Sequence, residues 1–371
     1  MAAAAGAGGQ LIRMVRAAVD PRTAPAAFVR RVIADASFRW YESGAEHRFR
    51  LGGLTLRLRT CGTALDPVIL PVLRHAQTTG ATAEDRSITV YAVSHEDDGF
   101  PAPPAEWPFE ADEADAVTRT VWDSEAGVAI VSDESRGIWH LHDLSAGTGV
   151  YWVGAAARLP VWEYGSPLRH HIHWGALATG HAMLHSAVVG EDGVGVMLAG
   201  PGGSGKSTLT AAAISAGMQT TGDDIVLVSQ SGADWRSHSL FDTMKLTGMA
   251  EILFSGLAAQ AVNRDRRPGE KALVPISTTI PDALVPQIAV KALVSCKLTG
   301  EDASTIRSAS RFDMIRALSP STSKILRTGH NEIFQQAASL SRSLPCHEFL
   351  IGNDPMEAAT VLRGFVRELR A

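Results

Sequence analysis

The sequence has few cysteines, no long apolar run and no excess of positive charge. Its 371 residues include three cysteines and no CxxC pair, which argues against a disulfide framework or a cysteine zinc site. No uninterrupted apolar stretch reaches the ~20 residues that a membrane-spanning helix needs. A formal net charge of −5 argues against a broad nucleic-acid surface. We therefore expect a cytoplasmic protein that binds neither membrane nor nucleic acid.

The patterning predicts an α/β chain with two structured parts. Residues 1–40, rich in alanine, glycine and arginine, predict a flexible basic N-terminus. Residues 41–160 contain short alternating or apolar runs between turn residues, which predict a smaller sheet-rich domain. Residues 161–371 alternate strand and helix signals, with the boundary near residues 150 to 165 and a joining helix predicted over 167–184. The strand signals of residues 41–160 read FRLGGLTLRLRT, SITVYAVS, GVAIVSDE, GIWHLHDL and GVYWVG.

A phosphate-binding loop is the most specific motif. The segment GPGGSGKS over 200–207 fits G-x-x-x-x-G-K-[ST] and lies between an apolar run and a helical pattern. Glycines allow backbone N–H groups to approach phosphate oxygens, Lys206 supplies a charge for the terminal phosphates, and the Ser207 hydroxyl can ligate Mg²⁺. The predicted nucleotide-binding residues are Gly200, Pro201, Gly202, Gly203, Ser204, Gly205, Lys206, Ser207 and Thr208.

Two adjacent carboxylates follow the loop. Asp223 and Asp224 directly precede an apolar run, seventeen residues after Lys206. One carboxylate can hold a metal ion while the other accepts a proton from an attacking hydroxyl. The run VSDE over 131–134 looks like the acidic strand end of common P-loop NTPases, but it lies upstream of the loop, so we interpret it as an ordinary strand end.

His185, the P-loop and Gly222-Asp223-Asp224, in this order and spacing, resemble the catalytic core of the HPr kinase/phosphorylase family. The segments LHSAVV, GDDIVLV, HSLFDTMKL, EKALVPI and LPCHEFLIGNDPMEAATVL resemble bacterial HPr-kinase-like serine kinases, including those associated with lasso-peptide maturation. The resemblance covers about residues 165 to 371. It implies a mixed-sheet core of the HPr kinase and phosphoenolpyruvate-carboxykinase type, with ATP and Mg²⁺ as cofactors and a peptide or protein serine as acceptor.

The resemblance also implies residue roles. Asp223 would be the general base, Asp224 would hold Mg²⁺ together with Ser207, and His185 would line the same pocket. Asp242 is the nearest candidate for a further acidic metal ligand. Lys271 is the nearest candidate for a phosphate clamp, although its basic loop over 263–271 also fits a solvated surface. The family's signature near the third acidic ligand is absent, which argues against HPr itself as the substrate.

Several alternatives remain open at this level. Phosphorylation of a small hydroxylated metabolite, or a nucleotide-binding sensor without catalysis, would use the same loop. The sheet-rich domain is the candidate for substrate recognition, and the family's assembly habits predict a homo-oligomer. The histidines at 140, 142, 170, 171, 173 and 181 offer no compact ligand set, so we interpret them as structural rather than as a zinc site.

Overall fold

The computed structural model describes residues 25–80, 86–106, 109 and 118–370. Eighteen strands are described, and they form two large sheets and one small one. Those of the first sheet are β1 (Ala45–Leu51), β2 (Leu54–Thr60), β3 (Arg86–Ser94), β4 (Arg119–Asp123), β5 (Val128–Asp133), β6 (Ile138–Asp143) and β7 (Thr148–Val153). The others are β8 (Ala182–Leu184), β9 (Ala187–Glu191), β10 (Val194–Ala199), β11 (Gln219–Gly222), β12 (Val226–Ser231), β13 (Asp234–His238), β14 (Met244–Leu246), β15 (Ala272–Val274), β16 (Gln287–Leu298), β17 (Thr305–Ser308) and β18 (Cys346–Ile351).

Twelve α-helical segments of the described chain connect and cover these sheets. They are α1 (Pro25–Ser43), α2 (Asp66–Leu73), α3 (His95–Asp98), α4 (Val161–Gly165), α5 (Arg169–Ala178), α6 (Lys206–Ser215), α7 (Met249–Leu253), α8 (Ser255–Ala258), α9 (Ile276–Thr279), α10 (Arg311–Leu326), α11 (His330–Ser343) and α12 (Pro355–Glu368). No helix of the described residues combines the length and apolar character needed to cross a bilayer.

The first sheet has the strand order β1-β2-β3-β7-β6-β5-β4. The β2–β3 and β3–β7 pairs are parallel and the remaining pairs are antiparallel. Helix α1 packs its buried face, which includes Val29 and Ala36, against Trp139 and Trp152 of this sheet. The flexible terminus predicted for residues 1–40 is therefore wrong for 25–40, which form most of α1; residues 1–24 lie outside the described part.

The second sheet holds the P-loop strand at its centre. Its order is β11-β9-β10-β16-β13-β12-β8. Strand β18 pairs with the C-terminal half of β16 and with β17. Strands β10, β16 and β18 are mutually parallel where they pair, and the other pairings are antiparallel. The fold class is thus α/β with mixed sheets, as predicted.

Alternate residues of β10 face opposite helical layers, because successive strand side chains point to opposite faces. Val196 and Leu198 belong to the core covered by α6 and α12. Met197 and Ala199 belong to the core covered by α10 and α11. The two layers fix β10, and the loop that follows it, from both sides.

One apolar core spans both large sheets. Leu56 of β2 and Val90 of β3 lie in the same buried cluster as Ile172 of α5, Met183 of β8 and Leu227 of β12. The alternation of Leu54, Leu56 and Leu58 predicted this buried face correctly. The packing places the first sheet against β8 and β12 of the second sheet.

The helix predicted over 167–184 is shorter than expected. Helix α5 ends at Ala178, and Ala182–Leu184 form β8 instead. The Thr179 hydroxyl donates to the carbonyl of Ala176, and Gly180 adopts a left-handed conformation with φ of 74°. A glycine in this conformation ends a helix, since other residues adopt it at a steric cost.

Candidate active site

The P-loop connects the end of β10 to the first residue of α6. Gly203 and Gly205 have φ values of 84° and 97°, a region in which a Cβ atom is disfavoured. A Cβ atom added to Gly200 would meet the Ser204 hydroxyl oxygen at 2.6 Å. The Ser204 hydroxyl is buried and has no hydrogen-bond partner among the described residues. The loop therefore has the shape of an anion cradle, and it presents a buried polar group that a bound phosphate could satisfy.

Lys206 is folded over its own loop. Its Nζ donates hydrogen bonds to the carbonyl oxygens of Gly200 at 2.7 Å and Pro201 at 3.2 Å. Burial lowers the pKa of Lys206, and the nearby carboxylate of Asp223 opposes this effect. Lys206 and Ser207 open the first turn of α6, with Thr208 next in sequence. At this helix end the backbone N–H groups and the dipole favour an anion.

Asp223 lies directly against the P-loop serine. Ser207 Oγ donates to Asp223 Oδ1 at 3.1 Å, and the backbone N–H of Lys245 donates to Asp223 Oδ2 at 3.2 Å. The residue is 2% exposed. Burial and the adjacent Asp224 raise the pKa of Asp223. The first of the two carboxylates, rather than the second, therefore contacts Ser207.

Asp224 contacts different groups from those that Asp223 contacts. Asp224 has a φ of 75°, a left-handed conformation that aspartate tolerates better than most residues. Its Oδ2 accepts a hydrogen bond from Lys245 Nζ at 2.5 Å, and its Oδ1 lies 3.5 Å from His185 Nε2. Burial opposes ionisation, but Lys245 and His185 outweigh it and hold the pKa of Asp224 well below its usual range.

His185 occupies the turn between β8 and β9. Its backbone N–H donates to the Thr322 hydroxyl at 2.9 Å, while its Nδ1 is buried with no partner among the described residues. The structure thus brings together Lys206, Ser207, Asp223, Asp224 and His185, all of which the sequence motif singled out.

Lys271 and Asp242, the two remaining predicted site residues, lie in different places. Lys271 lines the same cavity as Asp224. Asp242 is engaged elsewhere: it accepts hydrogen bonds from the backbone N–H and the hydroxyl of Ser277. Among the described residues, no hydrogen bond or ion pair joins Asp242 to the Asp223-Asp224 pair, and the prediction of Asp242 as a metal ligand gains no support from the geometry.

Lys245 is the residue that sequence reasoning missed. It lies in β14, is 6% exposed, and contacts Asp223 through its backbone N–H and Asp224 through its ammonium group. Its Nζ also donates to Ser166 Oγ at 3.0 Å. The segment HSLFDTMKL contained Lys245, but a single lysine in an apolar strand carries no signal until β14 is placed beside the Asp223 turn.

A cavity of about 1070 Å³ opens beside Asp224 and Lys245. Its walls include Ile138 and His140 of the first sheet. Within the wall, Arg169 donates to Glu163 at 2.7 Å, and Glu163 also accepts from the Tyr151 hydroxyl at 3.1 Å. The cavity therefore joins the carboxylates of the second sheet to a surface built by the first.

The buried histidines of β6 and α5 cluster at this wall, and two of them, His140 and His170, line the cavity. His142 Nδ1 is 3.1 Å from His171 Nδ1, and His140 stacks on Tyr151. Within the described ranges, no three His, Cys, Asp or Glu side chains gather as a metal-binding group. A Mg²⁺ ion that is completed by phosphate oxygens and water needs only one or two protein ligands, and Ser207 with Asp223 meets that requirement.

Comparison with known proteins adds little. No family model and no curated protein matches the chain. Among solved structures, the chain is similar to the Hpr(Ser) kinase/phosphatase from Coxiella burnetii, with 16% identity and a TM-score of 0.30. That match covers 51% of this chain and 99% of the other. A likeness this weak carries no conclusion about function.

Proposed function

We propose that this protein is an ATP- and Mg²⁺-dependent kinase that transfers a phosphoryl group to a serine hydroxyl of a peptide or protein. The single observation that carries the proposal is the arrangement at the P-loop. Asp223 contacts the P-loop serine, while Asp224 faces a large cavity. Phosphoryl transfer requires a phosphate-binding loop, a carboxylate that helps to hold the metal ion and a carboxylate beside the acceptor hydroxyl. We call Asp223 the metal-side carboxylate and Asp224 the acceptor-side carboxylate. The resemblance of its sequence motifs to those of HPr-kinase-like kinases supports the choice of serine as the acceptor.

The contacts favour a division of roles opposite to the one implied by the family resemblance. Ser207 and Asp223 present two oxygen atoms beside the helix N-terminus, where Mg²⁺ would neutralise phosphate charge when bound. Asp224 lines the cavity, where an acceptor hydroxyl can reach it, whereas Asp223 is 2% exposed and bonded to Ser207. In the proposed step, the acceptor oxygen forms a bond to the γ-phosphorus, the bond to the β–γ bridging oxygen breaks, and the hydroxyl proton passes to Asp224.

Lys245 and His185 hold the acceptor-side carboxylate in place. A carboxylate has about four lone-pair sites, so Asp224 can accept from both residues and still receive the hydroxyl proton. Lys206 would move from its own loop carbonyls to the phosphates, since a bound anion offers a stronger partner than a neutral carbonyl oxygen.

The two aspartates are tested separately by substitution with asparagine. We expect Asp224→Asn to retain Mg²⁺-dependent ATP binding while phosphoryl transfer falls about 10²- to 10⁴-fold, the usual contribution of a general base. We expect Asp223→Asn to weaken the Mg²⁺-dependent part of ATP binding. Calorimetry and transfer of labelled phosphate to serine peptides measure the two effects, and Asp234→Asn, at an exposed site on β13, is the control.

The outcomes distinguish the alternatives. Transfer by Asp224→Asn at the wild-type rate would contradict its role as proton acceptor. Tight ATP binding without transfer to any peptide or metabolite would indicate a nucleotide sensor. A cavity of about 1070 Å³ is close to the upper end of small-molecule sites, which span about 300–1,000 Å³. Turnover of a hydroxylated metabolite where peptides give none would therefore replace the peptide substrate by that metabolite.

A further inference from the structure

The cavity beside Asp224 is strongly positive. Eight arginine or lysine side chains and four acidic side chains line it. Each of the four acids forms an ion pair with one of the basic residues. The four remaining cations form no ion pair within the described part of the chain; these are Arg158, Lys271, Lys324 and Arg327. An unbalanced set of cations around one cavity favours an anionic occupant.

These four cations come from three separate parts of the fold. Arg158 follows β7, Lys271 directly precedes β15, and Lys324 and Arg327 lie at the end of α10. All four are exposed, so they surround the opening rather than fill the interior. Positive charges presented from several sides suit an extended occupant with several negative charges better than one small anion.

The nucleotide does not account for this charge. The P-loop residues 200–207 do not line the cavity, and they form their own anion site at the start of α6. Of the four unpaired cations, only Lys271 is a candidate phosphate clamp. Arg158, Lys324 and Arg327 therefore remain available for a second bound group.

The backbone at Arg327 supplies an independent observation. Arg327 has a φ of 66° at the C-terminal end of α10, a position where glycine or asparagine is preferred. A cation there also favours the helix dipole, but Lys324 already provides one within the last turn. A strained arginine at a cavity rim is typical of a side chain kept for binding.

We propose that the cavity binds an acidic peptide segment, in which the serine that receives the phosphoryl group is flanked by aspartate or glutamate. Arg158, Lys324 and Arg327 contact the flanking carboxylates and place the hydroxyl beside Asp224. This assignment rests on the proposed kinase function. The experiments below therefore measure peptide binding and phosphoryl transfer separately. The net charge of −5 argues against a broad basic surface, which favours a peptide over a long nucleic acid.

Binding is measured first, with the full-length protein and no requirement for catalysis. The probes are fluorescein-labelled ten-residue peptides of glycine, one serine and four glutamates, blocked at both ends, and their glutamine analogues. We expect the glutamate peptide to bind at least about tenfold more tightly by fluorescence anisotropy, with the difference shrinking as salt increases. Arg158→Gln and Arg327→Asn should each weaken binding about 2- to 5-fold.

Two features make these variants informative. Asparagine fits the backbone at position 327 better than arginine does, so loss of binding by Arg327→Asn cannot be attributed to misfolding. Arg236→Gln removes an exposed arginine from β13, away from the cavity, and should leave binding unchanged. Equal binding of glutamate and glutamine peptides, or tighter binding of an oligonucleotide of equal charge, would overturn the assignment.

Transfer to the same peptides separates the two proposals. We expect Arg158→Gln and Arg327→Asn to raise KM for the glutamate peptide while kcat and the KM for ATP stay unchanged. Phosphorylation of glutamate and glutamine peptides with equal kcat/KM would leave the kinase standing and overturn the acidic acceptor. Selective binding of the glutamate peptide without any transfer would overturn the kinase and leave the acidic partner standing.

Discussion

The two large sheets contribute to the candidate site in different ways. The second sheet supplies Lys206, Ser207 and Asp223 from short segments whose geometry is set by a few neighbouring residues. The first sheet supplies a wall of the cavity, including His140, and its residues become neighbours of Asp224 only through packing. The difference shows that the phosphate chemistry of this protein is locally encoded, whereas the surface proposed for the acceptor depends on how the sheets pack together.

Lys245 gives the sharpest test of this contrast, because it joins the local carboxylate pair to the rest of the site. In Lys245→Met, the nearly buried Asp224 would lose its cation, and we expect the free energy of unfolding to fall by about 3–5 kcal/mol. Urea unfolding measures the loss. The control is Lys291→Met, which breaks the exposed pair with Asp234 and should cost less than about 1 kcal/mol. Similar losses in both variants would mean that the pair of Lys245 with Asp224 stabilises the fold no more than an exposed ion pair does.

The shared core predicts that the two sheets unfold together. Leu56→Ala removes a fully buried side chain from the cluster that contains both sheets and should cost about 2–5 kcal/mol. Hydrogen exchange of β2 and β10 peptides should show the same loss of protection against global unfolding. Leu253→Ala, at a side chain that is 49% exposed, is the control. A loss confined to β2 would instead show two independently folding sheets.

The buried histidines predict that stability falls in mild acid. Burial lowers the pKa of His140 and His173 to about 4, below the unfolded value of about 6.5. The unfolded chain therefore binds more protons between pH 6.5 and pH 4, and stability decreases as the pH falls through this range. Each such histidine should cost about 2 kcal/mol at pH 5.

His173 allows this pH effect to be traced to one side chain. Its Nε2 donates to the carbonyl of Thr328 at 3.2 Å, and its Nδ1 has no partner among the described residues, so an added proton there would be buried unpaired. His173→Gln keeps a donor and does not titrate. We expect the loss of stability between pH 7 and pH 5 to shrink by about 2 kcal/mol in chemical denaturation. An unchanged pH slope would mean that His173 titrates alike in the folded and unfolded chain.

Much of the fold near the P-loop could be predicted because its signals are local. The apolar run before residue 200, the glycines and the helix from Lys206 agree with the structure to within a residue or two. The prediction of a helix over 167–184 extends too far, because the apolar pattern continues into β8. The signal that ends the helix, Thr179-Gly180, is also local. Helix α1 was missed because the alanine- and arginine-rich terminus was interpreted as one unit.

The sequence by itself determined the phosphate cradle and the presence of a carboxylate pair after it, because glycine geometry and chain spacing act over a few residues. Tertiary structure decided which carboxylate contacts Ser207, since that contact joins the start of α6 to the turn after β11. It also brought Lys245 to both carboxylates and gathered Arg158, Lys324 and Arg327 around one cavity. Those contacts join residues distant in the chain, and only the packing of the sheets and helices makes them neighbours.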